Sequence, residues 1–441
     1  MLRLSRKLTA PVVATLLALS SFGRAASPPN SRDGAILLGC AMRTISPPLG
    51  MPLVGYPRPR PNTGVALDLC ARAAVFGAPG NPQPVTALVV LDLIHIDAAL
   101  GKAIRERAAA ALPGLAPAAI LVSATHTHSG PAVSPRGAKD TDAGGDPAYL
   151  NSVAAAASEA VVAAWSSKLE VRARVGHGIA RLGHNRRVVD SSGHATNEWK
   201  DVEGLHSGIF NPDVPFVAFD DARTGDLQFI FVSYGCHPVT LGPGNTQVSA
   251  DYPGYLVRAL ESATHARLAI FFTGAAANIN PRDGLYPDPE HARPMGEALA
   301  AVVLVALPQA RPLKSMPIAV TSVPLPLSVR PELAERFAAR TQDFPEGRRV
   351  VTEVQALRLG ELALISSPGE LVAELGIAVQ NSSPFDQTLI VYNANDHLGY
   401  LITDAIRREG GYEANSAVSL DFEKPYLNAA RAALARVALE K

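Results

Sequence analysis

The stretch Val85–Gly130, VTALVVLDLIHIDAALGKAIRERAAAALPGLAPAAILVSATHTHSG, decides the fold. Its opening "VTALVVLDLIHID" is an apolar run of the kind that forms a buried strand. "AALGKAIRERAAAAL" follows with helical spacing and stops at Pro113–Gly114. "AAILVSAT" is a second strand. Strand, helix and strand make a β-α-β unit, and such units build an α/β sheet. His126 and His128 stand just past the end of the second strand. In open α/β sheets ligands gather at the carboxyl ends of strands. On an extended segment, residues two apart face one side and can both reach one metal ion. In a loop, one can bind while the other stays free for proton transfer. An ordinary polar turn is the remaining alternative.

The rest of the chain extends this pattern. "AILLGCAMRTISPP" predicts a first strand that ends in a turn, and "PAYLNSVAAAASEAVVAAW" a long helix. Strands are expected in "EVRARVG", "VPFVAFDD" and "LQFIFVSYGCHP". The helix "YPGYLVRALESATH" leads to the strand "LAIFFTG" and the loop "AAANINPR". A helix in "EHARPMGEALAAVVLVAL" precedes a hairpin, "VVTEVQALRLGELALISSPGE". The helix "LVAELGIAVQ", the strand "QTLIVYNAND" and the amphipathic helix "PYLNAARAALARVAL" close the chain. No repeat or interdomain linker interrupts it. The expected fold is a single large α/β domain over residues 27–441, with mixed β-sheets flanked by helices.

Composition narrows the function. The chain has 441 residues, 40 basic and 40 acidic, and is 47% hydrophobic. That length allows a sizeable core. Balanced net charge does not favour nucleic acid or an anionic membrane surface as a partner. Arg3, Arg6 and Lys7, then "LTAPVVATLLALSSF" and the small residues Gly23 and Ala25, have the form of a secretory signal over residues 1–26. An exported protein, periplasmic or extracellular, is expected, without a membrane anchor once the signal is removed. Cys40, Cys70 and Cys236 form no CxxC pair and read as small buried hydrophobes.

Several strand-to-loop junctions carry groups that zinc binds: His126 with His128, His237 in "YGCHPVT", Glu370 in "SPGEL" and Tyr400 in "HLGYLIT". A catalytic zinc takes three or four such ligands in a tetrahedral arrangement and leaves a position for water. If the strands are neighbours, a zinc site lies at their carboxyl ends. Each residue also has an ordinary reading. His237 before a proline can cap a turn, Glu370 can sit in the first turn of a helix, and Tyr400 can be a packed aromatic. His95 reads as a structural residue in mid-strand. In "GHNRRVVD", an arginine can hold a substrate oxygen or carboxylate, or the segment is a solvated turn.

Together these segments resemble the catalytic domain of the neutral, non-lysosomal ceramidase family. "LVSATHTHSGP" is similar to its most recognisable signature. "YGCHPVT" with "VSADYPGY", then "SPGEL", and "ANDHLGYLIT" with "GGYEA" follow in the family's order. The resemblance implies a zinc amidase acting on an N-acyl lipid or other acyl amide through zinc-activated water. His126, His237, Glu370 and Tyr400 would hold the zinc ion. His128 would be the acid/base group, and Tyr412 and Arg186 active-site residues. Two departures stand out. The family loop Gly-Asp-Val-Ser-Pro reads "ANINP" here, so Asn280 replaces a serine and Asn278 an aspartate. An amide cannot act as an acyl-transfer nucleophile, although it can donate to an oxyanion. The chain also ends soon after the tyrosine segment, without the family's immunoglobulin-like domain, which is closer to short bacterial members. A zinc esterase or deacylase on a non-lipid substrate, or a zinc-retaining binding protein without turnover, are the alternatives.

Overall fold

A computed structural model describes residues 34–58, 60–134 and 145–440. Residues 1–26, the expected signal, lie outside the described residues. Asp33–Lys441 forms one compact unit.

The first sheet is built from β1 (Ala35–Thr44), β2 (Cys70–Gly77), β3 (Pro84–Leu91), β4 (Ile120–Ala124), β5 (Leu169–Ile179), β6 (Asp213–Asp221), β7 (Leu227–Tyr234) and β8 (Leu268–Thr273). Their spatial order is β8-β7-β6-β5-β1-β2-β3-β4. Most neighbours are antiparallel, but β3 with β4 and β7 with β8 are parallel. The second sheet runs β9 (Ile318–Leu327), β10 (Gly347–Leu359), β11 (Leu362–Ser366) and β12 (Gln387–Val391), and β11 with β12 is parallel. A parallel pair needs a crossover, usually a helix. The helices α1 (Ala98–Ala111), α3 (Asp251–Thr264) and α5 (Ala373–Asn381) supply one each. Helices α2 (Pro147–Ser166), α4 (Arg293–Ala306) and α6 (Glu423–Leu439) add cover.

Strand alternation explains the layers, because successive side chains point to opposite faces. Ala73, Val75, Val89, Leu91 and Val122 pack with Ile104 of α1 and Ala157 and Val161 of α2. Phe216, Ile230 and Phe271 pack under Leu256 of α3 and Leu299 of α4. The intervening residues Phe76, Val90, Phe219, Phe231 and Phe272 face the second sheet at Leu357, Leu364 and Leu389. That sheet's far face buries Ala356, Ile365 and Ile390 with Tyr426, Ala433 and Val437 of α6. Two mixed sheets thus lie between two helical layers.

Some expectations shift. Strand β3 ends at Leu91, so His95 lies in the loop beyond it and stacks on His397 at 4.1 Å. The loop "AAANINPR" contains a short strand, Ile279–Pro281, paired with Gly183–Asn185. Strand β2 carries no period-2 alternation, because it is buried on both faces. Cys70 and Cys236 are buried, Cys40 is half-buried, and all three are free.

Candidate metal centre

The parallel pairs aim their carboxyl ends at one place. Strand β4 ends at Ala124, and the chain turns through His126 in the left-handed region (φ 71°). The His126 amide donates to Leu93 O at 2.9 Å. A non-glycine residue there is costly, and the turn carries the imidazole inward. Strand β7 ends at Tyr234, and His237 follows with its amide on Ile279 O at 2.9 Å. Past β11, the segment Glu370–Leu371 pairs in parallel with Tyr400–Leu401, setting Glu370 beside Tyr400. Gly369 makes this possible, because a Cβ there would lie 2.5 Å from Gly399 O. Glu370 therefore stands before helix α5 on a short strand, and Glu374 occupies the helix's first turn.

One ring nitrogen from each of His126, His128 and His237 lies within 4.8 Å of the others. Nδ1 of His126 is 2.5 Å from Ile94 O, and Nδ1 of His237 is 2.7 Å from Ala276 O. A carbonyl only accepts, so these Nδ1 atoms carry protons, and in the neutral tautomer each Nε2 exposes a lone pair. Nε2 of His126 is 3.3 Å from Nε2 of His128. Both His126 Nε2 and His237 Nε2 are 3.4 Å from Glu370 Oε2. Nε2 of His237 is buried without a hydrogen-bond partner among the described residues. Converging lone pairs around a carboxylate repel one another unless a cation lies among them. Buried unsatisfied nitrogen at a carbonyl-oriented imidazole is the signature of a metal site.

The charge states agree. Burial lowers the pKa of His237 to about 4, partly opposed by Glu370. Burial and the neighbouring His126 also push His128 well below the usual range, so both rings are neutral at pH 7. Tyr392 donates its hydroxyl to Glu370 Oε2 at 3.1 Å.

The second group forms around Arg186. Its Nε donates to Glu413 Oε1 (2.8 Å), Nη1 to Asn280 Oδ1 (3.1 Å) and Nη2 to the Tyr400 hydroxyl (3.1 Å). The guanidinium lies over the rings of Trp199 and Tyr412, at 4.9 and 5.3 Å. Burial disfavours its charge, but Tyr400 and Glu413 more than compensate, and it remains a cation. Arg186 therefore holds protein groups. Asn280 is engaged at both ends, since its Nδ2 donates to Trp199 O at 3.2 Å. Asn280 thereby tethers Arg186 to the Trp199 backbone. Asn278 is structural, with Nδ2 on Glu374 and Oδ1 accepting from the Ala373 amide. Tyr412, 45% exposed, contacts Tyr400 and Trp199 by ring edges.

Sequence reasoning missed Glu413, Trp199, Tyr392, Asn393 and the loop Gly55–Arg58. Asn393 is buried, with its side chain 3.0 Å from His126 Nδ1. The adjacent strand end in "LIVYNAND" and the Gly/Pro cluster in "VGYPRPRP" were the available signals.

Strand ends of an α/β sandwich deliver three histidines and a carboxylate to one buried point, a candidate metal centre. Residues 37–281 match the family model described as neutral/alkaline non-lysosomal ceramidase, N-terminal. The chain belongs to this family, a family of amide-bond hydrolases. Among solved structures it is similar to a neutral ceramidase from Pseudomonas aeruginosa (TM-score 0.75, 19% identity, 92% of this chain and 75% of that one). It is also similar to a ceramidase complexed with C2 (TM-score 0.76, 18% identity, 92% and 76%). At these identities the likeness concerns the fold. No curated protein sequence matches the chain.

Proposed function

We propose that this chain is an exported zinc hydrolase that cleaves the amide bond of a ceramide-like N-acyl lipid with water as the nucleophile. His126, His237, Glu370 and Tyr400 would hold the metal. The observation that carries the reading is the ring of Nε2 lone pairs around the Glu370 carboxylate. Zinc bound there would polarise a carbonyl and bring the pKa of water toward about 7.

The remaining chemistry belongs to the chain's own residues. His128 is neutral and presents Nε2 to the centre. It can take the water proton at Nε2 as the oxygen–carbon bond forms. It can return that proton to the amide nitrogen as the carbon–nitrogen bond breaks. The half-exposed Tyr412 phenol can donate to the developing oxyanion, and one such donor is worth about 3–4 kcal/mol. Arg186 keeps Tyr400 oriented and holds positive charge beside the site. Asn280 offers no nucleophile, so no acyl-enzyme forms there.

A lipid substrate is supported by the segment beside Tyr412. Trp199 borders Tyr412, and Val202, Leu205 and Ile209 follow it in sequence as exposed apolar side chains. Among the described residues no helix is long and apolar enough to cross a membrane.

The test is turnover of N-acyl sphingoid, N-acyl amino acid and simple ester substrates by purified protein, with and without chelator. The N-acyl lipid is expected to react fastest, and activity should vanish on chelation and return with zinc. His126→Ala and His237→Ala should each abolish stoichiometric zinc in elemental analysis. Chelator-insensitive turnover, or full zinc in both variants, would sink the assignment. Zinc retention with no turnover on any substrate would favour a binding protein, the reading to which Asn280 lends weight.

A further inference from the structure

His128 lacks the support usual for a proton-carrying histidine. Its Nδ1 is buried and has no hydrogen-bond partner among the described residues. In acyl-transfer sites that nitrogen commonly meets a carboxylate, which sets the tautomer and the ring orientation. Something else must hold this imidazole, because a shift of about 1 Å in a reacting group can cost on the order of 100-fold in rate.

The loop Gly55–Arg58 surrounds it. Gly55 has φ 96°, and a Cβ built on it would lie 2.5 Å from His128 Nδ1 and 2.6 Å from its Cγ. Only a glycine leaves room for the ring there. The Tyr56 ring packs against the imidazole at 5.0 Å, inclined by 51°. The Arg58 guanidinium stands 5.3 Å from the Tyr56 ring centre. Its Nη2 donates to the His128 carbonyl at 2.6 Å, Nη1 to Val54 O at 3.0 Å and Nε to Asn245 O at 2.7 Å. The Val54 amide donates to Gly130 O at 3.0 Å, which ties the loop to the far side of the histidine pair. Backbone and ring of His128 are therefore held by Gly55, Tyr56 and Arg58 together.

We propose that Gly55–Arg58 is a clamp that sets the working orientation of His128 by packing, with Tyr56 and Arg58 as positioning residues. The clamp takes over the task that a hydrogen-bonded carboxylate performs elsewhere. It rests on the proton-carrying role given to His128 above. It also makes a specific claim about shape. The aromatic ring of Tyr56 matters and its hydroxyl does not, so phenylalanine should serve and alanine should not.

The test compares Tyr56→Ala, Tyr56→Phe and Gly55→Ala with wild type. Tyr56→Ala and Gly55→Ala should lower kcat about 10- to 100-fold with KM changed less than about twofold. Zinc stoichiometry should stay as in wild type, and Tyr56→Phe should restore kcat. A second readout needs no turnover: the imidazole resonances of histidine-labelled protein, with His128 assigned by their loss in His128→Gln. Wild type should show one sharp set for His128, and Tyr56→Ala a broadened or displaced one. An unchanged His128 resonance in Tyr56→Ala, or wild-type kcat, would overturn the clamp. Loss of zinc in Tyr56→Ala would also overturn it, because the loop would then act on the metal set. If wild type turns over no substrate, the hydrolase reading fails while the resonances still decide the clamp.

Discussion

Two arginines in the site are held by a single buried carboxylate. Glu413 is fully buried and accepts from Arg186 Nε, Arg187 Nη1 at 2.7 Å and Asn197 Nδ2 at 2.9 Å. Removing one partner of a buried pair leaves an uncompensated charge, which costs about 3–5 kcal/mol. Glu413→Gln keeps the shape and deletes the charge. It should therefore destabilise the protein by about 3 kcal/mol, read as a lower urea midpoint with an unchanged slope. A variant as stable as wild type would show that neighbouring Glu409, 3.0 Å from Arg187, carries the balance. The same residue-scale logic separates the two site histidines. His126 and His237 have Nδ1 on carbonyls and present Nε2 as a donor to metal, whereas Nδ1 of His128 is free.

Among the elements, the contact between β1 and α2 is the tightest constraint. Gly39 lies in mid-strand, and a Cβ there would come within 1.7 Å of Ala164 O and 2.6 Å of its carbonyl carbon. The obstacle is helix backbone, which cannot rotate away as a side chain can. Gly39→Ala should force α2 off the sheet and cost about 1–3 kcal/mol, the range for overpacking a core. Thermal unfolding reads this directly. Gly80→Ala is the control for an added methyl, since its Cβ meets nothing within 4 Å, although its φ of 81° adds strain. A Gly39→Ala transition no lower than that of Gly80→Ala would mean that helix and sheet separate freely. Each parallel pair with its helical crossover also serves as a delivery device: β4 leads to His126, β7 to His237 and β11 to Glu370.

The whole molecule should respond to acid in a defined window. His237 and His397 both titrate at about 4 in the folded protein, below the ordinary 6.5, chiefly because burial penalises the charged ring. In that window the unfolded chain binds these protons first, so stability is present above pH 6.5 and is lost as pH falls toward about 4. Asp251 acts oppositely. Burial raises its carboxyl from 3.8 to about 6, which favours the folded state at low pH and loses that contribution as pH rises to about 6. One of the two histidines is thereby offset. The metal-free protein should show a urea midpoint that declines between pH 6.5 and 4, and His237→Gln should flatten the decline. A midpoint that rises on acidification would contradict the neutral histidine pair.

The β-α-β pattern in Val85–Gly130 and the apolar runs of β6, β7 and β8 are written in local periodicity, so the α/β class and the strand-end placement of His126, His237 and Glu370 follow from the chain itself. Arg186, Tyr400 and Tyr412 are singled out by resemblance to a known segment order, which no local periodicity supplies. Strand β2 escaped because burial on both faces removes the alternation that marks a half-exposed strand. The layering of one sheet on the other, the pairing of Glu370 with Tyr400, and the partners of Asn280 and Glu413 join residues that are distant in sequence. Arg186 and Glu413, for example, are separated by 227 positions. No local propensity encodes such a contact. It arises only when buried faces must be covered and every buried donor and acceptor must find a partner. Folding likewise determined that Gly55, Tyr56 and Arg58, about 70 residues upstream, close on His128.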